Sequence, residues 1–290
     1  MSNYVIITDS SCDLPANMVE ELGIHVVPLA FIMEDKTYLN YPDHREMSPE
    51  VFYEKIAAGS MATTNAVNVG QATEAMEPFL KEGRDVLVLG FSSGLSTTYN
   101  SFKIAADELA EQYPDRKVYA VDTLCAALGQ GMLVYQAALL KKEGKTIDEV
   151  RDWAEENKLH LAHWFTVNDL FHLKRGGRVS AATAVLGTML QIKPVLHVDD
   201  EGHLISMAKA RGRKASLMAL VDKVGEDAVD PASQTMFICH SACLEDAQLV
   251  ADEIKKRYGT KEIIIGTIGP VIGAHTGTGC VALFYMGTKR

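Results

Sequence analysis

A short segment around position 92 is the first place where this chain could perform chemistry. Residues 90–94 read Gly-Phe-Ser-Ser-Gly, the G-x-S-x-G pattern that surrounds the nucleophile of many serine hydrolases. An apolar segment precedes it and an amphipathic one follows, as a strand and a helix do around that nucleophile. The same residues also suit a loop whose hydroxyl groups hold a ligand. The pattern leaves two interpretations open, a serine that attacks and a serine that binds.

A hydrolase would require a base beside the serine and an acid that orients the base. Ser92, Asp122 and His275 follow one another in the chain order of the α/β-hydrolases. No segment of the HGGG type supplies a second oxyanion donor, which weighs against this interpretation. His275 lies in a glycine-rich segment, 265–280, where the backbone can approach a ligand closely. These three residues remain an alternative catalytic set.

Small polar side chains recur where the predicted strands end and the next helices begin. They are Thr63 and Thr64, then Ser92, Ser93 and Ser96, then Asp122. In open parallel sheets, ligands bind beyond the carboxyl ends of the strands. Hydroxyl groups and free helix N–H groups favour an anion there, although any one of these residues could equally cap a helix. Their recurrence predicts a shared pocket for a carboxylate or phosphate head group.

The composition is that of a soluble globular protein. Of the 290 residues, 47% are hydrophobic and 23% are charged. The formal net charge of −10 argues against a nucleic-acid partner, because nucleic-acid binders need a basic face. Two local basic clusters are present nonetheless. They are Lys174, Arg175 and Arg178, and then Lys209, Arg211, Arg213 and Lys214.

The five cysteines indicate neither a disulfide framework nor a metal site. Cys239, His240 and Cys243 lie close together, but no second pair of ligands accompanies them. The first residues lack the basic and apolar runs of a signal peptide, and no stretch reaches the roughly 18 apolar residues of a transmembrane helix. We therefore expect a cytoplasmic protein with reduced thiols.

The hydrophobic pattern predicts an α/β fold with two domains. In residues 1–157, strands alternate with single helices, which favours a doubly wound parallel sheet. Residues 24–33 read as one strand of this sheet, and residues 34–60 as an inserted segment. In residues 158–290, two apolar runs joined by the turn 199–202 predict an antiparallel hairpin within a mixed-sheet α/β domain.

Two helix starts are visible in the sequence itself. Ser48 followed by Pro49 predicts the start of a short helix in the inserted segment. Thr146 and Glu149 form a capping box, in which each side chain bonds the backbone N–H group of the other residue. This pair predicts a helix over residues 147–157.

Six motifs occur in one order over nearly the whole chain. They are TDSSCDLP (8–15), TTNAV (63–67), FSSGLSTTYNS (91–101), LKRGGRVSAA (173–182), IKPVL (192–196) and IGPVIGAHTGTG (268–279). Together they resemble the DegV family, the fatty-acid-binding subunits of bacterial fatty acid kinase. The resemblance implies a two-domain fold that encloses a long-chain fatty acid such as palmitate, with its carboxylate at the domain junction. It also implies a non-catalytic subunit that presents the acid to a separate kinase, which forms an acyl phosphate for phospholipid synthesis.

The resemblance also implies roles for individual residues. Thr63 and Ser93 stand where members of the family bind the carboxylate, and His275 should lie beside that head group. Their possible neighbours are Thr64, Ser92, Gly94 and Ser96. The residues expected to act in kinase docking or phosphoryl transfer are Arg175, Arg178, Arg211 and Arg213. The fatty acid is the expected ligand, without a further cofactor or metal, and a transient contact with a membrane surface is expected as well.

Three departures from the family's pattern surround this site. The segment TTNAV (63–67) replaces T-S-Q-P-S, Thr97 replaces a glycine, and Thr278 replaces a proline. Each changes the stiffness or shape of a loop near the head group, so chain-length preference and kinase competence depend on them. The apolar stretch 181–190 is expected either to line the acyl tail or to pack in the core. A lipid carrier or sensor that acts without a kinase fits the same residues.

Overall fold

The computed structural model describes residues 3–180 and 191–290, so the stretch 181–190 lies outside the described residues. The strands are β1 (Tyr4–Asp9), β2 (Ile24–Val27), β3 (Ala30–Met33), β4 (Lys36–Leu39), β5 (Ala62–Asn65), β6 (Asp85–Gly90), β7 (Val118–Asp122), β8 (Leu161–Thr166), β9 (Ile192–Val198), β10 (Leu204–Arg211), β11 (Thr235–His240), β12 (Glu262–Thr267) and β13 (Val281–Met286). The helices are α1 (Ala16–Leu22), α2 (Pro49–Ala57), α3 (Val69–Lys81), α4 (Thr98–Gln112), α5 (Ala127–Lys142), α6 (Ile147–Asn157), α7 (Phe171–Arg175), α8 (Arg213–Asp227), α9 (Leu244–Tyr258) and α10 (Pro270–Thr276).

Four parallel strands form the first sheet in the order β2-β1-β6-β7. All of β1 is buried, and so is β6 beyond its first residue. Such continuous apolar runs are typical of parallel strands that are covered on both faces. Helices α3 and α4 cover one face, and α5 and α6 cover the other. The predicted α/β class and its parallel sheet are confirmed.

The segment predicted as one strand, 24–33, is divided into two strands that lie in different sheets. Strand β2 ends at Val27, and β3 begins at Ala30 in a separate antiparallel sheet with the order β4-β3-β5. Pro28 lies between them and has no N–H group to donate to a strand ladder. The prediction of a single strand was therefore wrong. The small sheet places β5, which carries Thr64, next to α10.

Six strands form the second sheet in the order β10-β9-β8-β13-β11-β12. Strands β11 and β12 are parallel, and the other neighbouring pairs are antiparallel. The predicted hairpin is present as β9 and β10, with the Gly202 N–H group donating to the Asp199 carbonyl at 2.9 Å. Helices α8 and α9 cover one face of this sheet. The predicted mixed sheet is thus confirmed.

Helix α5 lies between the two sheets and is buried over its first half, from Ala127 to Val134. Leu128 of this helix belongs to the same core cluster as Leu87 of β6 and Phe284 of β13. A helix that is apolar on every side suits such a position, because it packs against neighbours all round. The helix therefore contributes to the packing of both sheets.

The connection between the two sheets is short. The predicted capping box is present at its start, since Thr146 accepts from the Glu149 N–H group. Helix α6 ends at Asn157 and β8 begins at Leu161, so the boundary predicted at residue 158 falls between the sheets. The division into two domains at that point remains a prediction. Among the described helices, none combines the length and the apolar composition needed to cross a membrane.

Candidate functional site

A cavity of about 460 Å³ lies between the two sheets, where the loops after β5 and β6 meet α10 and β13. Its apolar wall includes Phe91, Phe165, Ala282 and Phe284. The polar residues that line it are Thr64, Asn65, Ser93, Ser96, Thr97, His163, Arg178, His275 and Thr276. A concave apolar site with a few polar groups is typical of small-molecule pockets. This cavity is therefore the candidate functional site.

A buried carboxylate fixes the loop that follows β6. Asp9, the last residue of β1, accepts hydrogen bonds from the N–H groups of Ser11 (3.0 Å) and Phe91 (2.9 Å) and from the Gln130 side-chain amide (3.1 Å). Burial raises the pKa of the Asp9 carboxyl, and these donors oppose the rise. Because Phe91 is the first residue beyond β6, Asp9 sets the direction in which the loop leaves the sheet.

Ser92 stabilises this loop and does not line the cavity. Its side chain is fully buried; its Oγ donates to the Gly202 carbonyl (2.9 Å) and accepts from the Gly94 N–H group (3.2 Å). Gly94 lies against the same hairpin, since a Cβ there would stand 2.8 Å from the Glu201 carbonyl oxygen. The two residues, expected as head-group neighbours, instead join the loop to the turn between β9 and β10.

Ser93 lines the cavity, and its hydroxyl has no hydrogen bond to any other described residue. The loop is held at this point by its backbone, because the Ser93 N–H group donates to Asp122 Oδ1 at 3.2 Å. Ser96 also lines the cavity, but its Oγ lies 3.0 Å from Thr98 Oγ1 at the start of α4. Of the two hydroxyl groups, that of Ser93 is available to a ligand.

Thr64, rather than Thr63, lies in the cavity. Successive side chains of a strand point to opposite faces, and in β5 it is Thr63 that is exposed, outside the lining residues. Thr64 Oγ1 lies 2.8 Å from His275 Nε2, which joins β5 to α10. Thr63, which was expected to bind the head group, thus lies outside the cavity lining, and its neighbour Thr64 lines the cavity.

His275 is neutral in this environment. Burial and, to a smaller extent, the positive charges of Arg178 and Arg175 together lower its pKa to about 4. Its Nδ1 is buried and has no hydrogen-bond partner among the described residues. This atom lies against Gly176, where a Cβ would stand 2.2 Å from it. At neutral pH the residue supplies a hydrogen-bonding group without a positive charge.

Arg178 brings the positive charge to the cavity instead. Its Nε and Nη2 donate to the Leu95 carbonyl at 3.1 and 2.9 Å, and Nη1 donates to the Gly176 carbonyl. The side chain is half-buried, and burial lowers its pKa from the ordinary arginine value. Within the described ranges it forms no ion pair with a carboxylate. It is thus a partly desolvated cation without an anionic partner among the described residues.

The other three predicted arginines lie outside the cavity lining. Arg175 Nη2 donates to the carbonyls of Ala62 (2.8 Å) and Ala274 (2.9 Å), so it holds β5 against α10. Arg213 pairs with Asp246 at 2.8 Å. Arg211, the last residue of β10, is exposed. Arg175 is exposed as well, but of these three residues only Arg211 has a side chain without a hydrogen bond or ion pair to another described residue.

The alternative catalytic set does not assemble. Ser92 Oγ donates to a backbone carbonyl, Asp122 Oδ1 accepts from backbone N–H groups, and His275 Nε2 bonds Thr64. None of the three side chains hydrogen-bonds another in the described part of the chain. A triad requires the base to contact both the nucleophile and the orienting acid, so this geometry gives no support to a hydrolase.

A sequence profile of the family described as "Uncharacterised protein, DegV family" matches residues 3–288. The chain belongs to the DegV family. A DegV domain-containing protein of Clostridium perfringens is 48% identical to it over 290 residues, which cover all of this chain and 99% of the relative. The predicted family membership is thereby confirmed.

Solved DegV structures share the fold of this DegV chain. The Bacillus subtilis protein, described as a fatty acid binding protein, has a TM-score of 0.85 and 29% identity, covering 99% of this chain and 100% of its own. A DegV family protein of Thermus thermophilus, described by its fatty acid binding, has a TM-score of 0.86 and 29% identity, covering 98% and 99%. A DegV lipid binding protein of Thermotoga maritima has a TM-score of 0.85 and 30% identity, with both chains fully covered.

Part of the DegV cavity could not be recognised in the sequence. Its wall takes alternate residues of two neighbouring strands, His163 and Phe165 from β8 and Ala282 and Phe284 from β13. Alternation indicates which residues share a face, but it does not indicate whether that face meets a core or a cavity. Arg178 was visible as a basic residue, yet nothing in its motif showed that the side chain turns toward Leu95.

Proposed function

We propose that this DegV protein binds a long-chain fatty acid, with the acyl tail in the 460 Å³ cavity and the carboxylate among Ser93, Thr64, His275 and Arg178. The observation that carries the proposal is the half-buried Arg178, a cation without a carboxylate partner in the described ranges, at an otherwise largely apolar cavity. A ligand that is an anion at one end and a hydrocarbon beyond it satisfies both parts of the site. Thr64 replaces Thr63 in this assignment because of the geometry of β5.

The two parts of the ligand would contribute differently. Each methylene removed from water contributes about 0.8 kcal/mol, so a tail of about 14 methylenes would supply roughly 11 kcal/mol before the costs of ordering it. A hydrogen bond to the carboxylate would add about 1 kcal/mol net. The tail would thus provide most of the affinity, and the polar groups would fix the orientation of the acid.

The known structures support this assignment. The relatives from Bacillus subtilis and Thermus thermophilus are described as fatty acid binding, and each covers nearly the whole chain. A shared fold alone does not specify a ligand. The proposal therefore depends mainly on the polar groups that line this cavity.

We further propose that the bound acid is presented to a separate fatty acid kinase. The motif LKRGGRVSAA supports this step by resemblance, and Arg211 supports it by its exposure. This proposal gives the two arginines different roles from those that the resemblance implies, because Arg178 lines the cavity whereas Arg175 bonds the carbonyls of Ala62 and Ala274. Arg211 is therefore the residue that we assign to the kinase contact.

Mass spectrometry of the organic extract from freshly purified protein is the direct test. We expect one long-chain fatty acid per chain, or stoichiometric uptake of added palmitate or oleate. The Ser93→Ala variant should bind about fivefold more weakly, as expected for one lost hydrogen bond. Ser101→Ala, on α4 and outside the cavity lining, is the matched control. An empty extract with no uptake of either acid would contradict the proposal.

A further inference from the structure

A second cavity, of about 330 Å³, lies where β1 and β12 end beside the segment 40–44. Among the residues that the structure describes, it shares no lining residue with the fatty-acid cavity. Its aliphatic wall includes Leu14, Val26 and Ile265. Its volume lies within the range of small-molecule pockets.

Three polar side chains of this second cavity have buried atoms without hydrogen-bond partners in the described part of the chain. They are Asn40 Oδ1, Asp13 Oδ2 and His44 Nδ1. Asn40 is only 4% exposed. Buried polar atoms are nearly always paired, because an unpaired one costs about 1–3 kcal/mol. Three such atoms around one cavity indicate a site built for hydrogen-bond donors.

Gly269 brings two of these side chains together. A Cβ at this position would stand 2.8 Å from Asp13 Oδ1 and 3.2 Å from Asn40 Oδ1. Asp13 Oδ1 itself is occupied, since it accepts from the Gly269 N–H group at 2.9 Å. The absence of a side chain at residue 269 lets the carboxylate and the amide approach the same point, with the second carboxylate oxygen left unpaired.

The charge of the site selects the ligand. Asp13 forms no ion pair with any described residue, and burial raises the pKa of its carboxyl well above the ordinary value. A cation would relieve that cost, whereas a carboxylate or phosphate ligand would add to it. In the described ranges, no group of three or more histidine, cysteine, aspartate or glutamate residues is arranged to hold a metal ion. An organic cation fits better than a metal.

We propose that this second cavity binds the primary ammonium group of a small aliphatic amine. An ammonium group carries three N–H donors, and the site offers three unpaired atoms that can accept them, Asp13 Oδ2, Asn40 Oδ1 and His44 Nδ1. The aliphatic wall takes the carbon chain of the amine. The site is independent of the fatty-acid cavity, and its occupation does not rest on the function proposed above.

Calorimetric titration of the full chain with propylammonium chloride tests this inference. We expect saturable binding that is absent for 1-propanol, which lacks the charge, and for tetramethylammonium, which lacks N–H donors. Asp13→Asn and Asn40→Leu should each weaken binding by about tenfold or more, since each removes an acceptor from a charged donor. Asp43→Asn, an exposed carboxylate of the same segment paired with Arg45, is the matched control and should bind normally.

A second measurement uses the unaltered protein, so its result does not depend on whether the variants fold. Propylammonium should shift the amide NMR signals of Gly269 and Asn40 and leave that of Ser93 in place. No saturable heat with the unaltered chain, equal binding of propanol, or binding of Mg²⁺ in place of the amine would each overturn the proposal. Undiminished binding by a folded Asp13→Asn variant would overturn it as well.

Discussion

The backbone of Gly176 lies directly against the imidazole of His275, so that a side-chain carbon at residue 176 would stand 2.2 Å from Nδ1. Gly176 has an ordinary φ of −74°, which any residue can adopt. Space, and not backbone conformation, therefore requires glycine here. Contact between the segment after α7 and the ring on α10 sets the position from which His275 reaches Thr64.

The Gly176→Ala variant should lose both fatty-acid affinity and stability. The added methyl group would displace the His275 ring and break its 2.8 Å contact with Thr64. Overpacking of this kind lowers the free energy of unfolding by about 1–3 kcal/mol. Urea unfolding and a palmitate titration measure the two effects. Gly70→Ala, in α3, is the control, since its nearest contact would be Asn68 Oδ1 at 3.3 Å; equal results for the two variants would refute the packing argument.

Arg178 and Arg211 should separate ligand binding from partner binding. Arg178→Gln removes the cation at the cavity, and we expect palmitate binding to weaken by about tenfold. Arg211→Gln changes only an exposed residue at the end of β10, so palmitate binding should stay unchanged while acyl-phosphate formation with a fatty acid kinase falls. Equilibrium binding and a coupled ATP-consumption assay measure the two steps. If Arg178→Gln binds palmitate normally, the cation has no role at the head group.

The pH dependence of stability should report on His275. Its pKa in the folded chain, about 4, lies below the ordinary 6.5, so between these values the unfolded chain binds a proton that the folded chain does not. The free energy of unfolding therefore rises with pH across this window, and the contribution is lost as pH falls from about 6.5 toward 4. Over the full window the effect should amount to roughly 3 kcal/mol, at about 1.4 kcal/mol per pKa unit.

The comparison of the unaltered chain with His275→Gln isolates this residue from the other buried histidines. Urea midpoints at about pH 7 and about pH 5 should differ less in the variant, because it lacks the titrating group. His203→Gln, at an exposed position, should keep the full difference. An unchanged difference in the His275 variant would show that another group dominates the window.

Ser92 should prove structural and unreactive. Ser92→Ala leaves the Gly202 carbonyl and the Gly94 N–H group without their partner, so we expect the free energy of unfolding to fall by about 1–3 kcal/mol. A fluorophosphonate probe should form no adduct with the unaltered protein, as read by intact mass. A stoichiometric adduct that disappears in Ser92→Ala or Ser93→Ala would instead support the interpretation as a serine hydrolase.

Local patterns were sufficient to predict the larger elements. The capping box at Thr146 and Glu149 and the hairpin turn at 199–202 are interactions between near neighbours in the chain, and the structure confirms both. The continuous apolar runs of β1 and β6 likewise indicate buried strands, because strands that are covered on both faces are apolar throughout. These elements were predictable because the contacts that define them join residues that are close together in the sequence.

The site was harder to predict because distant segments build it. The choice between Thr63 and Thr64 depends on which face of β5 meets α10, and that contact joins residues more than two hundred positions apart. Arg178 lines the cavity with its guanidinium bonded to the Leu95 carbonyl, which is again a contact between distant segments of the chain. The motifs identified which residues belong near the site, but the direction in which each side chain points depends on the fold.

Helix α5 has a consequence for how the molecule denatures. Its first half completes the hydrophobic interior of both sheets, through Leu128 with Leu87 on one side and with Phe284 on the other. A fragment ending at residue 157 would expose one flank of this helix to water, and the remainder of the chain would lack the surface that covers its sheet. The two halves therefore depend on each other for cooperative folding, and heating should give one transition, in which both sheets lose their order together.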